Sequence, residues 1–398
     1  MKTLLLLLLS SLATAESKTP TAFLRELVEI DSGSANSEGV NRVQDAVAKR
    51  LKTLGFTVER FNNPDSLSKS GQLLVGTLKG RSEKTVTLLG HVDTVFELSA
   101  GFRGFKLSAD GSTAIGPGVA DAKGGIVVAL AGLEKFLHEN PNPPFSIRFV
   151  AAPSEETGSV GFTPIFSDYG KNSELVLGFE PARANGAIVK ARKGNRWFHI
   201  KVSGREAHAG VDHATGVNAC LELSLKLAQI SSLTDPKRGM SVSIGHLEGG
   251  KDKFNIVCGH AEAKVDTRFV DFKTSHELKK KIEAILTKLE IRAQKDQTPS
   301  KTEWSVADES APLEFSAKSA PYLARYLKAI QEVEGTAPEA EATGGTGDAN
   351  SFSREGLVII DGLGPVGDGS HTNDEYIKLP TLDSRAAALA HFLVGLKF

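Results

Sequence analysis

Three short apolar runs in this chain end in the same way: residues 85–89 lead to His91, residues 146–151 to the pair Glu155-Glu156, and residues 175–177 to Glu180. Runs of this length bounded by turn formers read as buried strands. Chemistry-bearing groups just past them read as a site, because open α/β sheets bind ligands beyond the carboxyl ends of their strands. Around these runs lie helical patterns. Residues 21–30 and 37–54 are amphipathic, the second with Val40, Val43, Val47 and Leu51 at helical spacing before Gly55, and an apolar helix begins near Gly124. With a further strand-like run at 72–78, the alternation predicts α/β layers around a largely buried sheet.

After Pro181 the pattern changes. Strand 197–202, helix 217–230, strands 241–247 and 261–269, helix 275–292 and a short strand 302–306 predict a β-α-β-β-α-β unit. From about Ser310 the chain returns to helix (321–333), strand (356–361) and helix (382–394). The expected fold is therefore α/β: a discontinuous catalytic domain with a mixed sheet flanked by helices, residues 16–192 and 306–398. An inserted α+β lid, residues 193–305, divides it, with hinges near Arg192 and Ser305. No internal repeat or low-complexity tract interrupts this scheme.

Residues 1–15 read as an export signal, with Lys2, an apolar run at 4–9 and Ala13-Thr14-Ala15 as a small-x-small cleavage site. The mature chain would begin near Glu16 and be periplasmic or secreted. No stretch reaches the roughly 20 consecutive apolar residues of a membrane span. A formal charge of −1, with basic residues scattered, argues against nucleic acid or an anionic membrane as partner. Cys220 and Cys258, the only cysteines, read as two buried thiols; pairing in an oxidising compartment is the alternative. Neither a disulfide scaffold nor a thiolate metal site is available to so few.

Each candidate site residue has an ordinary reading beside its functional one. His91 could be a hydrogen-bonded histidine at a strand end or a metal ligand, with Asp93, on the same side of an extended chain, orienting its ring. Asp121, in the glycine-rich stretch 116–125, could cap a helix or bridge two cations. Glu155 and Glu156 could be solvated or face a cleft. Glu180 follows its strand as an acid, and His371 comes from the glycine-rich loop 364–375. Together these residues supply two histidines and several carboxylates from five separate places. Imidazole and carboxylate without thiolate suit zinc, with manganese or cobalt as substitutes. Three ligand carboxylates and a hydroxide would nearly balance two zinc ions.

In this order, with a lid between Glu180 and His371, the motifs resemble the M20 (aminoacylase and carboxypeptidase) metallopeptidase family, in pattern most like its glutamate carboxypeptidase branch. The resemblance covers essentially the whole mature chain. It is carried by G-H-x-D-T-V at 90–95, G-x-G-x-x-D-x-K-G-G at 116–125, S-E-E-T-G-S at 154–159 and Glu180-Pro181. It implies two zinc ions per subunit, one held by His91, Asp121 and Glu180 and the other by Asp121, Glu156 and His371. Glu155 would be the general base that generates the metal-held hydroxide, and a cis peptide is expected after Asp121. The segment 204–210 is similar to the family's G-x-x-x-H-A-G, whose histidine, here His208, would reach the partner subunit's active site to stabilise the oxyanion. A homodimer through the lids follows. Asn255 and Arg268 match positions that help bind the substrate carboxylate, and Gly345 lies in the glycine-rich segment beside the substrate pocket.

Three departures bear on substrate preference rather than the metal centre. Ala122 stands where many carboxypeptidase relatives have a second Asp, His260 where relatives often have proline, and Gly347 interrupts the run before Asp348. The implied activity is release of a C-terminal amino acid, with glutamate a candidate, from a peptide or N-acyl amino acid. Rivals are an aminoacylase or dipeptidase of the same chemistry, and a non-catalytic binding protein on the same fold. The last would have lost ligands or base, and none is missing.

Overall fold

The computed structural model describes residues 19–398 except 66, 98–100 and 102; the expected leader, 1–15, lies outside the described residues. The larger sheet has six strands in the order Thr57–Phe61, Leu73–Leu78, Ser146–Ala152, Thr85–His91, Leu175–Gly178, Val358–Ile360. Its last four strands run parallel and its first two join antiparallel, so the sheet is mixed as expected. Successive side chains go to opposite faces, and both faces are buried. Leu88, Phe149, Leu175 and Leu177 enter one core with helices Ser37–Thr53, Lys123–Glu139, Ala320–Glu334 and Pro380–Val394. Leu89, Val150 and Val176 enter a second core against Phe162, Phe166 and Phe352. This double burial explains why the strands read as continuous apolar runs. Val358–Ile360, from beyond the lid, pairs with Leu175–Gly178, so the sheet is complete only after the chain has returned.

The second sheet is antiparallel, in the order Ser241–Gly249, His260–Phe269, Gly194–Ser203, Lys301–Ser310. Helices Ala219–Ser231 and Phe272–Thr287 cover one face through Leu223, Leu227, Ile230, Leu278, Ile282 and Leu286. The last strand stays paired to Ser310 opposite Asn195, through a register shift between Val306 and Asp308, and passes the hinge expected near Ser305. Its outer part, Asp308-Glu309, has no apolar signal; Asn195 and Arg196 anchor it through side-chain hydrogen bonds. Both crossings then meet, since Arg192 and Leu313 exchange backbone hydrogen bonds of 2.9 and 3.0 Å.

Two further expectations are corrected. Helix Phe272–Thr287 starts and stops earlier than the periodicity of 275–292 suggests. Asp271 caps it through the Thr274 amide, and beyond Thr287 the chain is held instead by buried Glu222 and Lys226. Cys220 and Cys258 are not thiols but a disulfide, S–S 2.05 Å. The start of helix Ala219–Ser231 lies against the segment entering His260–Phe269, with Ala219 N donating to Cys258 O at 2.8 Å, a proximity 38 residues of sequence do not reveal.

A third, small sheet has the order Gly367–Asp368, Tyr376–Lys378, Thr113–Ile115, Lys106–Leu107. Strands of two and three residues carry no readable period. Their hairpin nonetheless places the loop holding His371 beside the chain leading to Asp121. Among the described residues, no helix is long and apolar enough to cross a membrane.

Candidate metal centre

Three adjacent parallel strands deliver the first donors. Gly90 pairs with Ala151 and Leu89 with Gly178, so His91, the Glu155–Thr157 turn and Glu180 emerge side by side at the sheet's carboxyl edge. Asp121 meets them from the loop before helix Lys123–Glu139. His91 Nε2 lies 3.1 Å from Asp121 Oδ1 and 3.7 Å from Glu180 Oε1. His371 Nε2 lies 3.3 Å from Asp121 Oδ2 and 3.1 Å from Glu156 Oε2. The two oxygens of one carboxylate thus face two separate histidine–carboxylate pairs.

The surrounding residues fix this arrangement. Asp93 Oδ1 sits 3.3 Å from His91 Nδ1, and the same carboxylate accepts the Glu155 and Glu156 amides at 3.0 and 3.2 Å and the Ser34 hydroxyl at 2.6 Å. Nδ1 also lies 3.1 Å from the Asp93 carbonyl, so the residue flanks the ring with backbone and side chain while its carboxylate pins the turn bearing the two glutamates. The Asp121–Ala122 peptide is cis. Helix Lys123–Glu139 takes Ala122 as its N-cap residue with no side-chain cap, so Asp121 is not the capping residue of the alternative reading. His371 has φ +66°, in the left-handed region that non-glycine residues seldom occupy.

Electrostatics show what such a donor set demands. Burial pushes Glu155 up to about 8 and Glu156 up to about 7, and lifts Glu180 well above the usual carboxylate range; nearby carboxylates add to each. A hydrogen bond to Asp121 raises His371 to about 9. Burial opposes charge on His91, but bonds to Asp121 and Asp93 hold it well above its ordinary value. Burial alone would raise Asp121, yet the bonds from His371 and His91 keep it far below the usual range. Converging carboxylates therefore retain protons unless cations offset them. His91, Asp121 and Glu156 present ligand atoms within 4.8 Å of one another. A thiolate-free set of imidazoles and carboxylates with one bifacial carboxylate fits a pair of divalent cations.

The remaining expected residues lie elsewhere. His208, Asn255 and Arg268 are in the lid, and no hydrogen bond or ion pair links them to the centre. Asn255 Nδ2 is 3.4 Å from His208 Nε2, and Arg268 pairs with Asp266 at 3.0 Å. Gly345 is nearer: its carbonyl accepts from Arg192 Nη1 at 3.4 Å. That arginine, read from sequence only as a hinge, is buried and bonds Asp361 at 2.6 Å. Gly347 lies between it and Glu155, since a Cβ there would stand 3.3 Å from Glu155 Oε1 and 3.8 Å from Arg192 Cζ. Sequence reading also passed over Ser34 and Glu375. Neither has a local signal, because each acts on chain distant in sequence.

Imidazole and carboxylate donors converging at the carboxyl edge of a mixed α/β sheet suit metal-assisted hydrolysis. The chain belongs to peptidase family M20/M25/M40, whose model matches residues 87–394. It is 27% identical over 390 residues to carboxypeptidase G2 of Pseudomonas sp. (strain RS-16), covering 96% of this chain and 91% of that protein. It is also 27% identical over 373 residues to succinyl-diaminopimelate desuccinylase of Bradyrhizobium sp. (strain ORS 278), covering 88% and 92%. The crystal structure of aminopeptidase PepT from Bacillus cereus shares the fold, with TM-score 0.71 at 21% identity over 94% of this chain and 98% of that one.

Proposed function

We propose that this protein is an exported, homodimeric dizinc amidohydrolase that releases a C-terminal amino acid from a peptide or N-acyl amino acid. The observation that carries the two-cation reading is the Asp121 carboxylate, each oxygen facing a different histidine and acid. His91, Asp121 and Glu180 would hold one zinc, and Asp121, Glu156 and His371 the other. When bound, such ions polarise a carbonyl and lower the proton affinity of water.

The protein's own groups do the rest. Glu155 is hydrogen-bonded to neither histidine, and Asp93 fixes its amide. It is the base that takes the proton of the attacking water and returns it to the leaving nitrogen. His208 Nδ1 accepts from the Gly210 and Val211 amides, both 3.2 Å, which puts the ring proton on Nε2 and requires the Asn255 amide, 3.4 Å away, to turn its oxygen toward that proton. That proton is the donor for the developing oxyanion of the partner subunit's substrate. Support for the dimer comes from the open edge of strand Ser241–Gly249 and the exposed Leu221, Leu225, Leu247 and Phe254 beside it. Arg268 and Asn255 would bind the substrate carboxylate. The division into a catalytic domain and an inserted lid that closes belongs to the same reading, with the second boundary moved from 305 to just past Ser310, where strand Lys301–Ser310 ends. Export is supported by the leader-like sequence and by the Cys220–Cys258 disulfide.

The substrate class follows the similarity to a carboxypeptidase; similarity to a desuccinylase keeps N-acyl substrates in view. Glu155→Gln tests the mechanism. It should retain two zinc ions per chain and lose roughly 10²–10⁴-fold in turnover, and near-normal turnover would refute the assignment of the base. A panel of N-acyl amino acids and dipeptides, assayed with wild-type protein, separates carboxypeptidase from aminoacylase and dipeptidase.

A further inference from the structure

Glu375 is 1% exposed at the foot of the His371 loop, and its carboxylate accepts three backbone N–H groups from one short stretch. Gly118 donates to Oε2 at 2.9 Å, while Ala120 and Asp121 donate to Oε1 at 2.8 and 2.9 Å. The Gly116 amide adds a bond to the Glu375 carbonyl at 3.3 Å. The amides of 118, 120 and 121 precede helix Lys123–Glu139, so none has an acceptor inside it. A buried carboxylate shared by three such donors is a strong, directional clamp.

We propose that Glu375 is the positioning residue that sets the bridging geometry, by bolting the loop that carries His371 to the loop that carries Asp121. The proposal rests on the two-cation reading above. One of the three donors is the amide of Asp121 itself, so the bridging residue is fixed directly. Glu375 is also only four residues beyond His371, across turns closed by Thr372 N to Gly369 O and Glu375 N to Thr372 O. Fixing one carboxylate therefore places both Asp121 Oδ2 and His371 Nε2. His91 and Glu180 reach Asp121 from strands of the six-stranded sheet, to which Glu375 makes no hydrogen bond. Loss of the clamp should fall more heavily on the His371–Glu156 side, where both Asp121 and His371 depend on it, than on the other, where only Asp121 does.

The test is zinc titration of chelator-stripped full-length protein, followed by calorimetry or chelator competition. Wild type should take up two equivalents, and fewer would sink the two-cation reading whatever Glu375 does. Given two, Glu375→Gln keeps the size but offers one acceptor oxygen in place of two. It should bind its first zinc at most a few-fold more weakly than wild type does and its second roughly 10–100-fold more weakly, a milder form of His371→Ala. Unchanged affinity at both sites, or equal loss at both, overturns the proposal. Should the variant not fold, hydrogen exchange in metal-free wild type decides. Slow exchange of the Gly118, Ala120 and Asp121 amides supports the clamp, and exchange at open-loop rates overturns it.

Discussion

The two sheet-bearing regions bury charge in opposite ways. In the lid, Lys226 and Glu222 are wholly buried 3.0 Å apart. Lys226 donates to the carbonyls of Ile285, Leu286 and Lys288, and Glu222 accepts the amides of Glu290 and Ile291. Charges there are paired one to one, and the network is closed. At the edge of the six-stranded sheet, Asp121, Glu155, Glu156 and Glu180 converge on two histidines without enough cationic partners of their own. A closed pair holds chain segments together; an open, one-signed cluster persists because it takes a cation. Burial of charge alone does not separate structure from function. The completeness of its partners does.

The contrast is broken most directly at Asp121. Asp121→Asn should weaken zinc binding by more than about 100-fold, since losing even an outer-shell partner costs roughly 10–100-fold, and hydrolysis should fall below detection. The metal-free variant should melt lower than metal-free wild type, because the Asp121 carboxylate is the partner of both histidines, which hold it well below the usual carboxylate range. Elemental analysis and calorimetry check both halves, and a variant that keeps wild-type zinc affinity would remove Asp121 from the metal centre.

Lys226→Met is the matching cut in the lid. Removing one partner of a buried pair should destabilise the protein by about 3–5 kcal/mol with zinc affinity unchanged. Adding Glu222→Leu should recover only part of the loss, because the Glu290 and Ile291 amides would then lack their acceptor. Urea melts of the single and double variants measure this. Altered zinc affinity in Lys226→Met would show that the regions are energetically joined.

A smaller effect is expected from pH. Folding raises Glu155 to about 8, Glu156 to about 7 and His371 to about 9, while burial lowers Lys123 to about 8, so between about pH 5 and pH 8, before Lys123 opposes them, the folded metal-free protein binds more protons than the unfolded chain. Its stability should therefore fall as pH rises through that window, and saturating zinc should remove the slope. Melting temperatures across this range, with chelator and with zinc, decide; a flat chelated profile would mean the carboxylates are not crowded.

Much of the centre was legible because each donor follows a local signal. His91, Glu155, Glu156 and Glu180 lie just past apolar runs, and Asp121 and His371 sit in glycine-rich turns. The lid's strand–helix order was legible for the same reason, since long amphipathic elements declare their period. Strands of two or three residues do not, so the hairpin that carries His371 to Asp121 was invisible. Ser34 and Glu375 were missed because their partners are a carboxylate or backbone groups remote in sequence.

The amino-acid sequence by itself determined which side chains could bind metal and that they stand at strand ends, because periodicity and turn chemistry act over a few residues. Only the tertiary structure decided that Asp121 turns one oxygen to each histidine, that Cys220 and Cys258 join, and that Glu375 clamps a loop more than 250 positions away. Such relations depend on distances set by the packing of whole sheets, and no local pattern encodes a distance.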